Sequence, residues 1–119
     1  CGFTGFHDYY GGKLAGWTSD RYMPRIRELY GNDPGRVPFD FAEVLTAIAP
    51  RALFVSAPIN DDNFDNAGVR RVMQAVNETW QLYGAAADAV VAEYPDCAHD
   101  FPPETRERVY EWLRKKLDQ

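Results

Sequence analysis

Cysteine is scarce in this 119-residue chain: Cys1 and Cys97 are the only two. Two thiols are too few for the disulfide framework that holds small secreted folds together. No apolar run approaches the roughly 18–20 residues needed to span a bilayer, and no signal-peptide pattern opens the chain. Positive charge is also short, with 13 Lys and Arg against 18 Asp and Glu and a net charge of −5. That balance argues against a nucleic-acid binder, which would show a basic face. The basic residues of the last stretch, Arg106, Arg108, Arg114, Lys115 and Lys116, are interleaved with Glu104, Glu107 and Glu111 and read as a solvated helix face. Serine occurs only as Ser19 and Ser56, and no internal repeat or linker divides the chain. Residues 1–119 therefore read as one structural unit.

What is present is the balance of a folded protein, with 45% hydrophobic and 26% charged residues. Cys1 to Ser19 carries five glycines and the aromatics Phe3, Phe6, Tyr9, Tyr10 and Trp17 without a period of two or 3.6. It reads as a loop whose aromatics cover something, either the core or one wall of a binding pocket. Asp20 is placed to cap a helix with Tyr22, Ile26, Leu29 and Tyr30 as its apolar positions, Pro24 in its first turn and Gly31 at its end. Asp40 and Glu43 have the spacing of a capping box for a short helix that points Val44, Leu45 and Ile48 inward and stops at Pro50.

Ala52 to Ala57 is an almost unbroken apolar run, as expected of a parallel strand covered on both faces. A polar loop with Asp61, Asp62 and Asp65 follows. Val69, Val72, Met73, Val76, Trp80 and Tyr83 then fall on one helical stripe closed by Gly84. Ala89 to Tyr94 is a second buried strand. The last helix opens at Pro102-Pro103, with Val109, Trp112, Leu113 and Leu117 inward. Strand, crossover helix, strand predicts an α/β unit with a parallel sheet. Two strands alone would leave bare edges, so this sheet is incomplete by itself. Its edge calls for more strands from elsewhere or for self-association. A chain that opens at Cys1 is accordingly read as a fragment or a processed product.

In parallel α/β sheets, ligands bind at the carboxyl ends of the strands. Asp61 lies four residues past the first strand and His99 five past the second, so both loops emerge at one rim. An acid there can accept the imidazole N–H, fix its tautomer and stabilise the imidazolium formed in a reaction. Asp62 competes with Asp61 for this role, whereas Asp65 is better placed to cap the helix. His7-Asp8 and His99-Asp100 match no metal-ligand spacing, and no metal or cofactor is expected.

Ala49-Pro50-Arg51-Ala52-Leu53-Phe54-Val55 and Ile59-Asn60-Asp61-Asp62-Asn63 resemble the acid-loop region of α/β-hydrolases, in the branch of dienelactone hydrolases, prolyl-oligopeptidase-type peptidases and acetyl-xylan-esterase-like enzymes. Tyr94-Pro95-Asp96-Cys97-Ala98-His99-Asp100-Phe101 resembles the histidine loop of that branch. The order acid, helix, strand, histidine, last helix is that of the C-terminal part of the fold. The resemblance implies a doubly wound parallel sheet, with His99 as general base and Asp61 as its orienting acid, acting on a small-molecule or carbohydrate ester. The chain departs from the family in one respect: the Gly-x-Ser-x-Gly nucleophile turn is absent. Ser56 falls inside a strand, Ser19 precedes a helix, and Cys1-Gly2-Phe3 lacks the glycine spacing. The nucleophile and oxyanion hole are therefore expected outside this chain, which is expected to be inactive alone. The alternative is a non-catalytic truncated module that self-associates or binds a partner.

Overall fold

A computed structural model describes residues 2–118, apart from the side chain of Tyr10. Cys1, considered above as a nucleophile, lies outside the described residues. Among those described, the helices are α1 (Pro24–Tyr30), α2 (Phe41–Thr46), α3 (Asn66–Leu82) and α4 (Pro103–Leu117). The strands are β1 (Leu53–Ser56) and β2 (Val90–Glu93). The glycine-rich N-terminal stretch is loop with two short 3-10 turns, Tyr9–Gly11 and Leu14–Gly16. None of these helices is long and apolar enough to cross a membrane.

β1 and β2 pair in parallel, with Leu53 opposite Val90 and Ser56 opposite Glu93, so the unit is α/β with a two-stranded parallel sheet and flanking helices. Successive side chains of a strand point to opposite faces. Val55 is buried in a core with Val69, Val72, Met73, Val76 and Trp80 of α3. Its neighbour Phe54 meets Trp112 of α4 edge to face at 5.4 Å. The two helices thus cover the two faces. The pairing runs on past the strands, because Ala57 N donates to Glu93 O, Ile59 N to Pro95 O and Asn60 N to Cys97 O. This extension ties the acid loop to the histidine loop.

Several ends are set by local chemistry. Asp40 and Glu43 form the capping box of α2. Asp65 caps α3, its carboxylate accepting from Ala67 N and Gly68 N. Asp20 does not cap α1: the helix starts only at Pro24, because a proline disfavours helical backbone at the residue before it, here Met23. Asp20 instead accepts from Arg27 at 2.7 Å. In α1 only Ile26 is buried and Leu29 is exposed, and Tyr22, ahead of the helix, is exposed as well. Helix α2 ends at Thr46, before Pro50 is reached, and leaves Val44 exposed.

The burial pattern departs from expectation wherever the sheet is too small. β2 is half-buried throughout and β1 buries only Val55, because each strand is an edge. With 17 residues, α3 is about 25 Å long, against about 13 Å for a four-residue strand. Its last turn outruns the sheet, and Tyr83 is exposed although it continues the apolar stripe. On α4 Trp112 and Val109 are half-buried, whereas Leu113 and, at 82% exposure, Leu117 are open. Met73→Ala should lower unfolding free energy by about 2–5 kcal/mol, because Met73 is 2% exposed. Leu82→Ala, at a position 88% exposed, should stay within about 0.5 kcal/mol. Urea unfolding of both variants checks this, and equal losses would contradict the placement of the core.

Candidate active site

The acid and histidine loops meet at the carboxyl rim of the sheet. His99 Nδ1 lies 2.8 Å from Asp61 Oδ2. The Asp61 side chain is 1% exposed, whereas that of His99 is 53% exposed. A buried carboxylate thus sits behind an imidazole that reaches solvent. The second oxygen, Asp61 Oδ1, accepts from Asn63 N at 2.9 Å and Phe64 N at 3.1 Å. The first of these closes an Asx turn. Asp62, the competing acid, is exposed, and the imidazole's bond goes to its neighbour.

Burial is the largest influence on Asp61 and opposes its ionisation. The hydrogen bonds from His99, Asn63 N and Phe64 N, with the charge of His99, together outweigh it and hold the carboxyl below its usual value. An ionised carboxylate is only an acceptor, so Nδ1 must be the donor in the pair. In the neutral imidazole this leaves Nε2 as the unprotonated, accepting nitrogen. Chemically, that is a base oriented by a buried acid.

The rim is also tied laterally. Asn60 Nδ2 donates to Asp96 Oδ1 at 2.8 Å, bridging the two loops beside their backbone bonds. Phe64 connects the pair to the N-terminal loop. Its ring packs at 5.7 Å from the imidazole and edge to face with Trp17 at 5.3 Å. Trp17 in turn stacks with Tyr9 and Phe41. Tyr9, Trp17 and Phe64, with Tyr22, Asn63 and His99, line a cavity of about 480 Å³. The glycine-rich loop therefore fills both roles left open by the sequence, packing a core with Phe6, Leu14 and Ile26 and walling a cavity. Neither Phe64 nor the amide of Asn63 is marked by any motif in the sequence. The available signal was the Asx-turn chemistry of Asp61-Asp62-Asn63, which fits either aspartate.

Other candidates lie apart. Ser19 and Ser56 neither line this cavity nor hydrogen-bond His99, and the buried Ser56 hydroxyl has no hydrogen-bond partner. Cys97 is half-buried, and burial followed by the charges of Asp100, Glu104 and Asp96 pushes its thiol up, away from the reactive thiolate. Asp8 pairs with Arg71, and His7 faces a separate depression with Asp40 and Glu43. Among the described residues no three His, Cys, Asp or Glu side chains are grouped to hold a metal ion. No family model, curated protein or solved structure matches the chain.

The depressed acidity of Asp61 has a consequence for stability. Its folded-state value lies below the ordinary 3.8, so near that pH the unfolded chain binds more protons, and stability rises with pH. The contribution is complete above the unfolded value and is lost as pH falls through the folded one. Asp61→Asn should cost about 1–3 kcal/mol at pH 7, and its gap to the wild type should close as pH drops below 3.8. Urea unfolding from pH 7 to pH 2.5 measures this; a gap that widens in acid would contradict it.

Proposed function

We propose that this chain is the acid- and histidine-bearing part of a serine hydrolase that cleaves carboxylic esters. It would belong to an α/β-hydrolase-type domain of the dienelactone hydrolase, prolyl-oligopeptidase and acetyl-xylan-esterase-like branch. The observation that carries the reading is the bond from the half-exposed His99 to the buried Asp61, at the carboxyl rim of adjacent parallel strands.

The mechanism assigns three roles. A serine supplied from outside this chain attacks the ester carbonyl. His99 Nε2 takes the serine proton as the bond to carbon forms and returns it to the leaving alkoxide, and it then takes a proton from the water that attacks the acyl-serine ester and returns it to the serine oxygen as the acid leaves. Asp61 holds Nδ1–H in place and stabilises the imidazolium between these steps. Against the opposing effect of burial, its proton affinity is kept low by the bond from His99 and then by the two backbone amides, so it stays a charge partner and does not become an acid. No cofactor takes part.

In a polypeptide that supplies a Gly-x-Ser-x-Gly segment ahead of these residues, His99→Ala should lower kcat for p-nitrophenyl acetate by a factor of about 10³ or more. Asp61→Asn should lower it by about 10³–10⁴ through the wrong tautomer. Retention of full esterase activity in His99→Ala would end the hydrolase reading.

A second reading is favoured by the exposed apolar side chains of α4 (Tyr110, Leu113 and Leu117) beside a sheet with two edges. In it the chain is a non-catalytic module that hides this surface by self-association or against a partner. The 119-residue chain should then sediment as a dimer or larger species at micromolar concentration. A monomer that stays folded and binds nothing would count against it.

A further inference from the structure

The cavity beside His99 has features that select among esters. Trp17 is buried, with Tyr9 stacked at 4.5 Å and Phe41 at 5.0 Å. With two rings stacked on it, Trp17 contributes to the wall as part of a packed aromatic cluster. Tyr9 is also buried, packed on Trp17 and Phe64. Tyr22, at 64% exposure, keeps an open ring. Saccharides stack on open aromatic faces and need a dense set of hydrogen-bonding side chains around their hydroxyls. Here the open ring is Tyr22, and the wall has no Asp, Glu, Gln, Lys or Arg side chain; its hydrogen-bonding groups are Asn63, His99, the Trp17 indole and the phenols of Tyr9 and Tyr22. An aromatic ligand ring can pair face to face with an offset, or edge to face, with the open Tyr22 ring. Wall charge also discriminates. No Lys or Arg lines the cavity, and the ionised Asp61 lies behind His99. A carboxylate ligand would find repulsion there, and a neutral ester would not.

We infer that this cavity holds the aryl ring of a neutral ester of an arylcarboxylic acid (the aryl ester below), with the ester carbonyl toward His99. An apolar void of about 150 Å³ is enough for benzene, so a cavity of about 480 Å³ has room for a substituted ring and its ester group. The inference rests on the hydrolase reading only for which bond would be cleaved, since the ring site itself is a matter of binding. After cleavage the acid product is an anion, which the same wall disfavours, and this assists its release.

Methyl 4-hydroxybenzoate titrated into the 119-residue chain tests this, followed by NMR at the Gly16 and Phe64 amides and the His99 ring. The expected result is saturable shifts at those residues, with Kd of about 1–10 mM, as befits a fragment-sized ligand. The 4-hydroxybenzoate anion and methyl β-xyloside should bind at least about tenfold more weakly, a difference of about 1.4 kcal/mol. Tyr22→Ala, at an exposed position, should weaken the aryl ester at least about threefold, and Tyr22→Phe should not. Equal or tighter binding of the xyloside or the anion would overturn the inference. So would shifts that stay linear up to the solubility limit of the ester, or an unchanged Kd in Tyr22→Ala. Asp61→Asn separates the two claims: aryl-ester binding should persist in it whether or not the acid–histidine reading survives.

Discussion

A buried carboxylate must be satisfied, and that requirement organises the rim of this structure. Asp61 is taken out of water behind the acid loop, so each of its oxygens needs donors. Two come from the backbone of its own turn and the third from His99, 38 residues further along the chain. The third donor reaches it only because β1 and β2 run parallel and in register, which delivers both loops to the same end of the sheet. The continuation of the pairing through Ile59 and Asn60, with the Asn60–Asp96 bridge, then fixes the spacing of the loops. The imidazole is thus held by long-range topology on one side and by a local turn on the other.

The aromatic loop adds a second constraint from the opposite direction. Phe64 follows the acid turn and inserts between the imidazole and the Trp17–Tyr9 stack, so the N-terminal loop, the acid loop and the histidine share one packed surface. Thr4 reinforces this by donating its hydroxyl to Asp65 O. Gly68 at the start of α3 allows the approach, because a Cβ there would come within 2.2 Å of Thr4 Oγ1. Tyr9, Trp17 and Phe64 therefore both wall the cavity and hold the loop.

Much of this was legible in the sequence because it is local or periodic. The Asp40–Glu43 box, the Asp65 cap and the α3 stripe from Val69 to Trp80 each follow from a short-range rule. So did the meeting of the acid loop with the histidine loop, since parallel strands send their exits to one rim. What stayed illegible depends on extent. Periodicity marks Tyr83, Leu113 and Leu117 as inward, but the two strands are too few to cover them. Asp61 and Asp62 are indistinguishable by spacing, and the choice is made by which carboxylate turns back onto the Asn63 and Phe64 amides. Asp20 has the composition of a cap, yet Pro24 sets the helix start after it.

The central claim is that Asp61 fixes His99 as a base with Nε2 unprotonated. The most direct measurement is the imidazole ¹⁵N spectrum of His99 in the wild type and in Asp61→Asn, recorded at a pH where the ring is neutral. The account predicts a predominantly Nδ1–H tautomer in the wild type, with that preference lost in the variant. A predominantly Nε2–H ring in the wild type, or identical spectra for the two proteins, would contradict it.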